Sequence, residues 1–192
     1  MLNELVARNR SYRRFHEAKT IGRQTLESLV ENARHCASTS NLQPLRYLPV
    51  DSEGPRAAVF DCLKWAGYLA DWPGPVEGER PSAYIVVTHD TGIQIKPEYL
   101  WCDVGIAGQT ILLTATELGL GGCTIVSVDR ERLRAALSIP ERYSILVVLA
   151  LGSPKEKVVI TGVEESGSIK YYRDAEGTHY VPKRALKDIL IG

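Results

Sequence analysis

The segment Arg8-Asn9-Arg10-Ser11-Tyr12-Arg13-Arg14-Phe15 sets four arginines and a serine hydroxyl within eight residues. Guanidinium groups present N–H donors in a rigid planar fork, the donor set that suits a phosphate. In an extended turn Ser11 and Arg13 point the same way, because side chains alternate with period two. Two guanidinium groups and a hydroxyl can then surround one anion. A solvated basic turn leading into a helix is the competing reading of the same residues.

A second polar stretch, Ser38-Thr39-Ser40-Asn41-Leu42-Gln43-Pro44, follows one helix-like segment later. Asn and Gln carry donors and acceptors side by side, which matches the imide and carbonyl edges of a planar heterocycle. Pro44 forces an extended path after Gln43. The alternative is a helix-ending loop whose small polar residues bond their own backbone. A phosphate clamp followed by an edge-reading loop fits a phosphorylated ring cofactor, and flavin mononucleotide (FMN) fits best.

Two further stretches carry chemistry. In Gly119-Leu120-Gly121-Gly122-Cys123-Thr124-Ile125-Val126-Ser127 the glycines let the backbone come close to something flat. They follow a helix and lead into a strand, the reverse of a dinucleotide fingerprint. In His179-Tyr180-Val181-Pro182-Lys183-Arg184 two cations after a proline could close over an anion, or form a solvated tail. Cys123 has no histidine near it in sequence and reads as buried, so it is not taken as a nucleophile. His16, His35, His89 and His179 are scattered with no ligand spacing, so no metal is expected. Asp103, in an apolar helix, should have a hydrogen-bonded or ionic partner and a structural rather than a catalytic role. Trp65, Tyr68 and Trp72 either pack or form part of a lid over a ring.

The elements that must position these residues are legible from periodicity. Leu2 to Ala7 is helix-prone, with Asn3 as a candidate cap. Leu26, Leu29, Val30 and Ala33 recur at three- and four-residue steps, predicting a helix over Gly22–Cys36. Arg56–Trp65 and Asp129–Leu137 read as helices, the second capped by Asp129. Tyr99–Leu118 reads as a helix apolar nearly all round, buried by the core or by a partner subunit. Tyr47–Val50, Ala83–Thr88, Cys123–Val128 and Ser144–Leu151 read as strands. Gly67–Pro81 is an irregular loop, and Lys155–Tyr180 reads as loops with short extended pieces. Pro182–Leu190 is a basic tail ending in a short helix. This order predicts an α+β sandwich in one domain, residues 1–192.

Composition excludes several classes. Lys and Arg number 23 and Asp and Glu 23, so the formal net charge is zero, which argues against a nucleic-acid partner. The most apolar window, about Val104 to Leu118, is interrupted by Gly105, Gln109, Thr114 and Glu117. It falls short of the ~20 residues that a membrane span needs. Cys36, Cys62, Cys102 and Cys123 show no metal or CxxC spacing and read as buried or partly buried free thiols. With no basic-then-apolar amino-terminal run, a cytoplasmic protein is expected.

The four stretches occur in the order found in one family: the chain resembles a nitroreductase-family flavoprotein. Arg10-Ser11-x-Arg13-x-Phe15 resembles its amino-terminal phosphate motif, and Ser38-x-x-Asn41-x-Gln43-Pro44 its Ser-x-x-Asn-x-Gln-Pro loop. Asp103-x-Gly105-x-Ala107-x-Gln109 resembles its central helix, and Val181-Pro182-Lys183-Arg184 its tail. The resemblance implies a sandwich with a central, mostly antiparallel sheet flanked by helices, in an intertwined homodimer with FMN at the interface. It implies that Arg10, Ser11, Arg13, Lys183 and Arg184 hold the phosphate and ribityl end. Ser38, Thr39, Ser40 and Asn41 would come mostly from the other subunit, and Gln43 would approach the ring or ribityl chain. Ile125, Val126 and Ser127 would lay backbone against the flavin, with an N–H near N5, and Lys64 is a candidate cation for the pyrimidine edge. The implied activity is ping-pong hydride transfer from NADH or NADPH to a quinone, nitroaromatic or other conjugated acceptor. A flavin-binding protein that stores, senses or fragments FMN is the alternative. The chain departs from the family's usual pattern at Asn9, Ala37 and Leu45, and in reading Ile-Val-Ser-Val at residues 125–128. Larger side chains there reshape the substrate space.

Overall fold

The two longest apolar runs become the two central strands of the computed structural model, which describes residues 1–191. Strands β1 (Leu45–Val50), β2 (Ala83–Asp90), β3 (Gly121–Ile125) and β4 (Tyr143–Gly152) form an antiparallel sheet in the order β1-β2-β4-β3. Ile85 lies opposite Leu149 and Val86 opposite Val148. Successive residues face opposite sides of a sheet, so this register splits the strands between two cores. Ile85, Val87, Leu149 and Leu151 join one, while Tyr84, Val86, Val148 and Ala150 join the other. Both faces are covered, which is why β2 and β4 read as continuous apolar runs rather than as an alternation.

Helices supply the two covering layers. On one face α2 (Arg23–Arg34) and α4 (Pro97–Glu117) bring Leu26, Leu29, Ile111 and Leu112. On the other, α3 (Glu53–Phe60) and α5 (Arg130–Leu137) bring Val59 and Leu133. The result is the α+β sandwich that the order of elements predicts. Asp129 caps α5 as its position indicates, accepting from the Arg132 N–H at 3.1 Å.

Several expectations are corrected. Asn3 lies inside α1 (Leu2–Arg8), which starts after Met1, so it does not cap it. Helix α3 stops at Phe60, before Trp65, because the chain turns to pair with residues 127–129. The Lys64 N–H donates to the Ser127 carbonyl at 3.0 Å and the Asp129 N–H to the Cys62 carbonyl at 2.8 Å. Within the chain, α4 is buried on one side only. Trp101 and Ile106 remain 45% and 39% exposed, because one sheet can cover only one side of a helix. Cys102 sits among them and is exposed, not buried. Beyond β4, the short extended pieces read among loops pair into a second sheet that the sequence does not indicate, β5 (Val158–Gly162), β6 (Tyr172–Arg173) and β7 (His179–Lys183), in the order β5-β7-β6. Its β5–β7 pair is parallel, aligning Val158 with His179, and it is too lightly buried to leave an apolar signature.

Candidate active site

The amino-terminal arginines are set in place by the glycines of β3. Ser11 bridges to Gly122, and the Tyr12 N–H donates to the Gly122 carbonyl at 3.0 Å. A Cβ on Gly121 would stand 2.5 Å from the Tyr12 ring, and one on Gly122 would stand 2.6 Å from the Ala150 carbonyl. The flat group that Gly121 admits is therefore this chain's own Tyr12. The close approach docks the Arg10–Arg14 segment along β3, the last strand of its sheet.

The arginines divide by what they are bound to. Arg14 forks onto Glu79, with Nη2 to Oε1 at 2.7 Å, and Lys155 Nζ lies 2.9 Å from the same oxygen. That hydrogen bonding from Arg14, with Lys155 adding to it against the cost of burial, pulls the Glu79 carboxyl from an ordinary 4.5 down to about 2. Because the folded value is depressed, the stability from this cluster is complete above about pH 4.5 and is lost as pH falls toward 2. Glu79→Gln should flatten the acid limb of a stability-versus-pH curve across that window. An unchanged limb would show that the cluster contributes nothing.

Arg10 and Arg13 keep donors to spare. Arg10 Nη2 donates to the Val6 carbonyl at 2.8 Å, while its Nε is buried without an acceptor. Arg13 Nη1 donates to the Ser11 carbonyl at 3.2 Å and lies 3.4 Å from His179 Nε2. No oxygen among the described residues accepts from its Nε or Nη2. The Arg13 guanidinium also lies over the Tyr171 ring, 4.9 Å from its centroid. His179 is fully buried, and desolvation pulls its imidazole to about 4, against the opposing pull of Glu156. It is neutral at ordinary pH and can accept from Arg13. Burial pushes the neighbouring Cys123 thiol up, which fits an inert thiol and not a nucleophile.

A cavity of about 150 Å³ opens beside this turn. Arg13, Lys64, Tyr171 and the run Cys123–Ser127 line it, so the structure brings Arg13 together with Ile125, Val126 and Ser127. Lys64 is exposed, tethered through its backbone to Ser127. Ala66, also on the wall, is held in the left-handed region at φ 39°. The Tyr171 ring packs tilted against Tyr68, with centroids 4.9 Å apart, and against His179, 5.1 Å apart. Trp72 instead packs under Arg173, 4.2 Å from the guanidinium, and Trp65 is buried.

The Ser38–Pro44 loop lies elsewhere. It lines a separate cavity of about 300 Å³ through Ser38, Gln43 and Pro44, together with Tyr47 and Asp103. Burial there pushes the Tyr47 phenol up to about 12. Ser40, Asn41 and Gln43 all have left-handed backbone, at φ 49°, 55° and 51°. Such strain in non-glycine residues persists only where surroundings enforce it, and it clusters at functional sites. Asp103 is the enforcer. It accepts from Ser38 Oγ at 2.6 Å and from the Thr39 N–H and Oγ1 at 2.9 Å each, while Ser38 Oγ accepts from the Gln43 N–H at 2.9 Å. Lys183 and Arg184, at the end of β7, are exposed and line neither cavity. Among the described residues no cluster of three or more His, Cys, Asp or Glu side chains could hold a metal ion. Nor is any described helix long and apolar enough to cross a membrane.

A family model described as "Nitroreductase family" matches residues 6–66 and 78–153. The chain belongs to the nitroreductase family. Among relatives, the 5,6-dimethylbenzimidazole synthase of Rhodospirillum rubrum is 25% identical over 186 residues, covering 86% of this chain and 88% of its own. The nitroreductase family protein of Streptococcus pneumoniae TIGR4 superposes with a TM-score of 0.74 at 14% identity, over 100% of both chains. The NADPH:FMN oxidoreductase of Vibrio harveyi, complexed with NAD+, superposes with a TM-score of 0.62 at 22% identity. That match covers 80% of this chain and 69% of the other. At such identities the likeness of the structures is one of nitroreductase fold. The family match ends at residue 153, so Glu156, Tyr171 and His179 lie beyond it. Sequence reading missed Glu156 and Tyr171 altogether, and no spacing rule links either to Arg13.

Proposed function

We propose that this chain is an FMN-dependent oxidoreductase, drawing on NADH or NADPH and serving a quinone, nitroaromatic or other conjugated acceptor. The observation that carries the reading is Arg13, an arginine with donors to spare, on the wall of a cavity that residues 123–127 also line, with Arg10 three residues away in the same turn. Arg10, Ser11 and Arg13 would hold the phosphate, with Lys183 and Arg184 reaching it from the tail. Ile125, Val126 and Ser127 line the cavity, where their backbone N–H groups would serve the ring edge, and Lys64, on the same wall, would be the cation for the pyrimidine side. Bound FMN supplies the hydride acceptor and donor, its N5 atom. Reduced nicotinamide and acceptor would occupy the same open place in turn.

The cavity, at about 150 Å³, is smaller than the roughly 300–1,000 Å³ usual for ligand sites. Within one chain the Ser38–Gln43 loop does not reach it. A homodimer resolves both facts: the loop of a second copy would complete the wall, with Ser38, Thr39, Ser40, Asn41 and Gln43 facing the ring and ribityl chain. The exposed Trp101 and Ile106 of α4 give that copy an apolar face to cover. The test is steady-state oxidation of NADH and NADPH by yellow, purified protein with a quinone. Parallel lines in double-reciprocal plots are expected. Flavin-loaded protein without turnover would favour a second reading, a flavin-binding protein that stores, senses or fragments FMN. The alignment, over 86% of this chain, with a relative named as a synthase and not as a reductase is the observation behind that alternative.

A further inference from the structure

Behind the arginine turn lies a carboxylate that neither phosphate chemistry nor the family match accounts for. The Glu156 side chain is fully enclosed. Its Oε1 accepts from the backbone N–H groups of both Arg13 and Arg14, the second at 3.2 Å, and its Oε2 accepts from Arg173 Nη2 at 2.8 Å. Arg173 in turn lies over the Trp72 ring, tying the carboxylate to the Gly67–Pro81 loop beside the cavity. One side chain thus joins three segments: the amino-terminal turn, the second sheet and the loop.

We infer that Glu156 is a positioning residue for the phosphate clamp, fixing the backbone of residues 13 and 14 so that the Arg13 side chain projects with its free donor edge toward the anion. The inference rests on the FMN reading above. Two effects of opposite sign meet here. A carboxylate behind the turn would repel a phosphate bound in front of it, so neutralising Glu156 should tighten FMN if charge alone mattered. Losing the fixed turn should weaken FMN instead. Glutamine has one acceptor oxygen where glutamate has two, so Glu156→Gln can satisfy the turn or Arg173 but not both.

The test compares FMN with riboflavin, which lacks the phosphate, by quenching of flavin fluorescence on titration into apo-protein. Glu156→Gln should raise the Kd for FMN about tenfold while riboflavin stays within about twofold, the loss of roughly one hydrogen bond to a charged ligand. A merely structural role would weaken both flavins alike. Equal weakening, no change, or tighter FMN each overturns the inference. Should Glu156→Gln fail to fold, Arg173→Gln releases the far oxygen and should give an FMN-selective loss of about threefold, and an unchanged FMN-to-riboflavin ratio there also overturns it. Wild-type protein that binds neither flavin would defeat the FMN reading itself, a separate result.

Discussion

Replacing Arg10 and Arg13 together with alanine is expected to leave purified protein largely colourless. Hydrogen bonds to charged groups are each worth about 1.5–3 kcal/mol, so losing two costs about 3–6 kcal/mol, or roughly two to four orders of magnitude in affinity. The structure also says why folding should survive. Arg10 holds the Val6 carbonyl, and its Nε has no partner to lose. Arg13 gives up one bond to the Ser11 carbonyl, its contact with His179, and a cation–π contact with Tyr171 worth about 0.5–2 kcal/mol. Arg14 is the control. Its guanidinium is committed to Glu79, so Arg14→Ala should lower stability and leave flavin content nearly unchanged. The measurement is the ratio of flavin to protein absorbance beside a thermal melt. Double-mutant protein with full flavin absorbance and an unchanged melt would remove the phosphate from this turn.

Half of this arrangement is local in sequence and half is not. The Arg10-Ser11-x-Arg13 turn announces its donors within four residues, and the 3.6-residue periodicity of Leu26, Leu29 and Ala33 locates α2 to within two residues. The apolar runs of β2 and β4 are explained by two covered faces. What holds the turn is far away in the chain: Glu79 lies 65 residues from Arg14, and Glu156 lies 143 from Arg13. No spacing rule connects acids to arginines at such distances. Tyr171 and β5 sit in lightly buried segments, where neither period two nor period 3.6 is imposed by a core. The apolarity of α4 was visible, but its two sides are not equivalent. Leu100, Val104, Ala107 and Ile111 meet the sheet, while Trp101, Cys102 and Ile106 stay open, a division that only the packing partner reveals.

Asp103→Ala is the second substitution with a large expected effect, because it releases a loop that stores strain. Each left-handed non-glycine residue costs of order 1–3 kcal/mol, so Ser40, Asn41 and Gln43 together hold roughly 3 kcal/mol or more. Three hydrogen bonds to the buried Asp103 carboxylate, plus Ser38 Oγ accepting from the Gln43 N–H, hold them there. The gross value of three such bonds overstates the loss. Ser38 and Thr39 are half-exposed and can turn to water, and strain relief offsets part of the rest. The expected net cost is therefore about 2–3 kcal/mol in denaturant unfolding. It should come with rapid amide exchange confined to residues 38–43 and a loss of flavin affinity. Ser40→Gly separates strain from anchoring, since glycine adopts φ near 50° freely. It should leave stability unchanged or raise it by up to about 1 kcal/mol. If Asp103→Ala instead unfolds within about 0.5 kcal/mol of the parent, the range of an ordinary surface substitution, the loop holds its shape without Asp103, and the left-handed residues need another cause.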